Sequence, residues 1–82
     1  MRPATAAAAD ATTDLTDRRD DARDLAGMAR ELALRLEHLA YGRHLDAARQ
    51  RLCWRAMSNA RLGVLVLNDA REHLERALSQ DH

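Results

Sequence analysis

The stretch CWRAMSNARLGVLVLNDAREHLERAL, residues 53–78, decides how this chain folds. Within it Cys53, Met57, Ala60, Val64, Leu67, Leu74 and Leu78 recur at alternating steps of four and three, with only Arg71 interrupting the apolar series. That spacing places them on one side of a helix as a coiled-coil-type seam. One position earlier runs a second series of the same spacing: Leu52, Ala56, Asn59, Gly63, Val66, Ala70, His73 and Ala77. Two adjacent seams make an apolar face too broad for one neighbouring helix to cover. A partner chain is therefore expected, and the oligomer interface is assigned to Leu52, Cys53, Met57, Asn59, Ala60, Gly63, Val64, Val66, Leu67 and Leu74. Asn59 is the specificity residue of that set, because a polar side chain inside a seam fixes register or oligomeric state at a cost in stability.

Working outward, six uncharged residues at 62–67 admit a second reading as a buried strand, but no other strand exists for it to pair with. The helix is preferred, and it extends from about residue 45 to about residue 79. Upstream, Tyr41-Gly42-Arg43-His44 is the interior break, since glycine in the left-handed conformation closes a helix. Asp46 follows as an acid at the start of the second helix. A first helix is expected over about 14–41. Its core face is read as Leu25, Ala29, Leu32, Leu36 and Leu39, extended backward by Ala22 and Leu15 with a gap at Arg18. Leu34 and Tyr41 form a second, smaller stripe.

The start of the first helix reads as weak. Like charges fall four apart at Asp17 and Asp21, Asp20 and Asp24, and Arg19 and Arg23, which predicts fraying to about Asp21. Thr12 and Thr13 are the candidate caps. Residues 1–12 are Ala-rich, carry Pro3 and hold no large apolar anchor, so they are read as a disordered tail ahead of a hairpin domain at 13–80. Helices of about 28 and about 34 residues reach about 42 and about 51 Å, a match that suits antiparallel pairing. The expected fold is all-α: a hairpin of two long helices that dimerises into a four-helix bundle.

Composition narrows function by exclusion. An 82-residue chain with one Tyr, one Trp and no Phe has little with which to build a core alone. The lone Cys53 cannot form an internal disulfide, and no apolar run approaches the about 18 residues of a membrane span, so a cytoplasmic protein is expected with no membrane partner. Glu37-His38 and Glu72-His73 are adjacent pairs whose side chains diverge by about 100°, which does not suit a Glu-x-x-His metal site. No nucleophile triad and no glycine-rich phosphate loop is present, so neither enzyme chemistry nor a cofactor is expected.

Charge is balanced in total yet segmented along the chain. Residues 10–24 carry six Asp against three Arg, residues 43–61 carry five Arg against one Asp, and residues 69–81 are acidic again. In a hairpin this makes the turn end positive and the open end negative. Two protomers are then expected to pack with their turns at opposite ends. Arg51, Trp54, Ser58 and Arg61 share one helical stripe with Arg55 beside it, a pattern that can hold phosphate and stack on bases. With zero net charge and no short recognition helix, binding of nucleic acid or a small anion through Arg51, Trp54, Arg55 and Arg61 is the alternative. The preferred reading is a non-enzymatic, regulatory protein–protein interaction module acting as a homodimer.

Overall fold

In a computed structural model, which describes residues 3–42 and 44–80 and side chains from Asp10 onward except at residue 43, the chain is two α-helices lying side by side. α1 spans Pro3–Gly42 and α2 spans Ala47–Ser79. Among the described residues there is no strand, and α2 passes through Gly63 and Asn68 without a break. The hairpin is long and thin, 67 × 16 × 15 Å, with a radius of gyration of 18.8 Å. A compact domain of this length would measure about 12 Å.

The turn lies where glycine and Asp46 place it, though by a different device from the one expected. Gly42 is the last residue of α1 and, among the described residues, no glycine has a positive φ. Asp46 is the N-cap of α2: its backbone is extended, and its carboxylate accepts the Arg49 backbone N–H at 2.8 Å. That bond satisfies one of the amides a helix start leaves without a partner. At the far end the Gln80 N–H donates to the Arg76 carbonyl at 3.2 Å and closes α2.

α1 begins well before the start expected near Asp14, and residues 3–12, read from the sequence as part of a tail, are helical. Helix runs from Pro3; residues 1 and 2 lie outside the described residues. Proline is well placed in a first turn, where its missing N–H is not needed, and a run of alanines needs no large anchor to be helical. The acidic turns, expected to fray to about Asp21, are helical as well. Arg18 pairs with Asp21 at 3.0 Å, while Asp20 takes Arg19 at 3.3 Å and Arg23 at 3.7 Å. These pairs offset the like-charge spacings on which the fraying expectation rested. Thr12 and Thr13 are interior to the helix rather than caps, and the Thr16 hydroxyl donates to the Thr12 carbonyl at 2.9 Å.

Two contacts set the register between helices. The Cys53 thiol donates to the Leu36 carbonyl at 3.4 Å, and Gln50 Nε2 reaches the Ala40 carbonyl at 3.5 Å. Counting outward in an antiparallel pair, Ala33 stands level with Met57, Ala26 with Val64, Ala22 with Leu67, Arg19 with Arg71 and Leu15 with Leu74. On α2 the first seam, Cys53, Met57, Ala60, Val64, Leu67, Leu74 and Leu78, is buried or half-buried, with Trp54, Gly63, Asn68 and Arg71 half-buried beside it.

On α1 the buried row is Ala22, Ala26, Ala33 and Ala40, with Leu15, Ala29 and Leu36 half-buried among them. This corrects the expected core face. Leu15, Ala22, Ala29 and Leu36 do turn inward, but Leu25, Leu32 and Leu39 remain 49%, 52% and 40% exposed. Small side chains on α1 receive the larger Met57, Val64 and Leu67 of α2, a large-to-small fit that lets the helices approach.

Arg19 and Arg71 occupy one layer of this seam, and the Nε of Arg71 is buried with no hydrogen-bond partner. It is the weakest layer of the hairpin, since a buried polar atom left unpaired costs about 1–3 kcal/mol.

Candidate interaction surface

The row one residue ahead of the buried seam on each helix defines the candidate site. On α1 it reads Leu25, Met28, Leu32, Arg35, Leu39; on α2 it is the second seam, Leu52, Ala56, Asn59, Gly63, Val66, Ala70. Stepping back one residue rotates a position by about 100° around its helix. The same rotation in two antiparallel helices that face each other leads to the same side of the pair, so both rows open on one broad face. There Leu25, Met28, Leu32, Leu39, Leu52 and Val66 are 40–65% exposed. Apolar exposure of this kind makes the face a candidate interaction surface.

The opposite face is bridged by two contacts between the helices. Arg61 pairs with Glu37 at 2.9 Å. Tyr41 and Trp54 stack edge to face, their ring centroids 5.1 Å apart at 84°. Leu34 and Tyr41, the smaller stripe, lie here and stay exposed. A shallow groove of about 200 Å³ runs between Arg30, Ala33, Leu34, Arg61 and Val64.

The expected interface residues divide between two environments. Cys53 and Met57 are buried against α1, and Ala60, Val64, Leu67 and Leu74 are half-buried on that same seam. They hold the hairpin together. Leu52, Asn59 and Val66 are exposed on the open face, and Gly63 lies half-buried at its edge. A Cβ built on Gly63 would meet nothing within 4 Å. Leu25, Met28, Leu32 and Leu39 belong to this face although they were not assigned to it. Their own spacing of three, four and seven, one residue ahead of an alanine row, is the signal that finds them.

The four residues of the anion or nucleic-acid alternative do not act as a set. Trp54 is engaged with Tyr41 and Arg61 with Glu37. Arg51 and Arg55 remain exposed and border a depression of about 270 Å³ with Ala48 and Leu52. His73 is turned to its own helix: its Nδ1 lies 2.8 Å from the Asp69 carbonyl, and therefore carries the proton, with the Asp69 carboxylate at 3.5 Å. Among the described residues no three His, Cys, Asp or Glu side chains stand together as metal ligands, and no helix is long and apolar enough to cross a membrane. Comparison with protein families, with curated proteins and with solved structures finds no match to this chain.

Proposed function

We propose that this chain is a small, non-enzymatic interaction module of a regulatory kind, and that it works as a homodimer whose open faces meet to make a four-helix bundle. The observation that carries this reading is the alignment of six exposed apolar side chains, Leu25, Met28, Leu32, Leu39, Leu52 and Val66, on one face; Leu34, Tyr41, Leu62 and Leu65 are exposed elsewhere on the hairpin. Total surface points the same way. The hairpin exposes 6471 Å², whereas a folded monomer of 9.2 kDa exposes about 4,900 Å². Part of the excess is shape, because two helices side by side enclose no interior. A standard interface hides about 800 Å² per partner, well within that excess. Cys53, a buried free thiol, suits a reducing cytoplasmic setting.

Sedimentation equilibrium over a micromolar concentration series tests the dimer. The wild type should sediment as a dimer, and the double variant Leu39→Glu, Leu52→Glu as a monomer that keeps its helix. A wild type that stays monomeric throughout would refute the reading.

Exposure of Arg51 and Arg55 beside one depression supports the second reading, an Arg-dependent contact with nucleic acid or a small anion. Titration of single-stranded and duplex DNA and RNA at rising salt separates the two. Binding that weakens steeply with salt, regardless of sequence, belongs to phosphate contacts.

A further inference from the structure

Resting on the dimer reading above, we infer that the open face is covered by a second copy laid head to tail and staggered, with the twofold axis crossing at the level of Leu32 and Asn59 and the two Asn59 carboxamides bonded across it. The leucine and valine positions of the face are self-complementary about that level, while Met28 falls beside the aliphatic stem of the second copy's Arg35. Leu25 and Leu39 stand seven residues to either side of Leu32, and Leu52 and Val66 seven to either side of Asn59. The register set by Cys53–Leu36 and Gln50–Ala40 puts Leu32 and Asn59 side by side in one layer. Two independent rows, one on each helix, therefore share a single centre. An axis there, perpendicular to the helices, lays Leu25 on the second copy's Leu39 and Leu52 on its Val66. Ala56 meets Gly63, where a Cβ finds open space in the lone hairpin, so the backbones can approach.

Asn59 distinguishes this packing from the other twofold arrangement, in which the turns coincide. A carboxamide has both donors and acceptors, so two related by an axis satisfy each other. With the turns together, each Asn59 would instead face the second copy's Leu32 and lose its partners.

Charge agrees with the same axis. Reflected about it, Arg49 at the turn end comes level with Asp69 of the other copy, and the turn itself with Asp20, Asp21 and Glu72. The exposed Arg51 and Arg55 stand near that end, while Asp17, Asp21, Asp24, Asp69, Glu72 and Glu75 are exposed toward the other. At physiological salt such attraction reaches about 8–10 Å, so these facing groups act only in the head-to-tail packing.

The axis lies nearer the turn than the middle of the hairpin, and this makes the inference measurable. At 1.5 Å per residue the two Gly42 positions should lie about 30 Å apart along the bundle and the two Ser79 positions about 60 Å, with Ser58 close to the axis. Spin labels at Gly42→Cys, Ser58→Cys and Ser79→Cys, each in a Cys53→Ala background shown to be dimeric by sedimentation, read these spans. The expected result is a Ser79 distance about twice that of Gly42, and a Ser58 distance shorter than both. Equal Gly42 and Ser79 distances near about 50 Å would put the axis at mid-hairpin and overturn the stagger. Short distances at all three sites would show coincident turns and overturn the arrangement. Absence of any intermolecular coupling would instead mean a monomer, the failure of the dimer reading itself.

A second variant addresses the amide pair. Asn59→Asp sets two carboxylates at the axis, so dimer dissociation should strengthen at least about tenfold at neutral pH and recover as the pH falls into the carboxylate range. An Asn59→Asp dimer of unchanged affinity at neutral pH would remove Asn59 from the axis.

Discussion

Leu32 and Ala33 are adjacent in sequence and face different surroundings, so the same substitution at each should give opposite outcomes. Ala33 is 6% exposed and stands level with Met57 inside the hairpin seam. Ala33→Asp forces a carboxylate into the seam against Met57, at an effective cost of several kcal/mol even with Arg30 and Arg61 bordering the adjacent groove. A chain of this length is stable by about 4–12 kcal/mol, so the helical signal should largely disappear. Leu32 is 52% exposed on the open face. Leu32→Asp leaves its charge in water and forfeits only the part of the leucine that α2 already covers, about 1 kcal/mol. Its hairpin should stay helical while the dimer dissociates. Circular dichroism and sedimentation velocity on both variants, at matched concentrations, read the two outcomes. Retention of helix by Ala33→Asp alongside its loss in Leu32→Asp would refute the alanine seam and restore the leucine face as the core. Loss of helix in both would show that the hairpin has no stability apart from the dimer.

Arg71→Leu should stabilise the protein by about 1–3 kcal/mol in denaturant unfolding, because it removes the buried Nε that lacks a partner and relieves the Arg19–Arg71 layer. Unchanged or lower stability would mean that this layer is solvated. Gly27→Ala should add about 1 kcal/mol with no change in dimer affinity, since Gly27 is helical, lies off the open face and has nothing within 4 Å of an added Cβ. A weakened dimer in that variant would place the interface on the wrong side of the hairpin.

Much of the architecture is legible before any coordinates are seen. The two adjacent seams of α2, the break at Gly42 and Asp46 as a start signal specify a two-helix hairpin, and α2 departs from its expected bounds by only about two residues. The rotation of α1 is not legible in the same way. Ala22, Ala29 and Leu36 belong equally to a seam completed by Leu25, Leu32 and Leu39 and to one completed by Ala26, Ala33 and Ala40. Periodicity cannot choose between them; hydrophobicity favours the leucines, and packing against the large side chains of α2 favours the alanines. The Ala-rich start fails for a related reason, because judging it by large anchors overlooks that alanine is the best helix former. Glu37–Arg61 and Tyr41–Trp54 become visible only once the register is known, as neither pair shares a helix.

The placement of small residues inside and large ones outside bears on how the protein holds together. Within the hairpin the buried side chains are four alanines, Cys53 and Met57, with Leu15, Leu36, Val64, Leu67, Leu74 and Leu78 half-buried beside them, and an alanine contributes a single methyl group. Burial on that scale offsets only part of the entropy of ordering two long helices. Further apolar burial is available on the open face, where each large side chain is about half exposed and covering it the remainder of the way is worth about 1 kcal/mol. On the proposed arrangement, the second copy adds this burial to a hairpin that is already helical alone. Apparent stability then rises with protomer concentration, as it does whenever the folded state alone binds a partner. Asn59 fits this coupling, since one amide per protomer gives up some hydrophobic burial and selects a single register from those that leucines alone would allow.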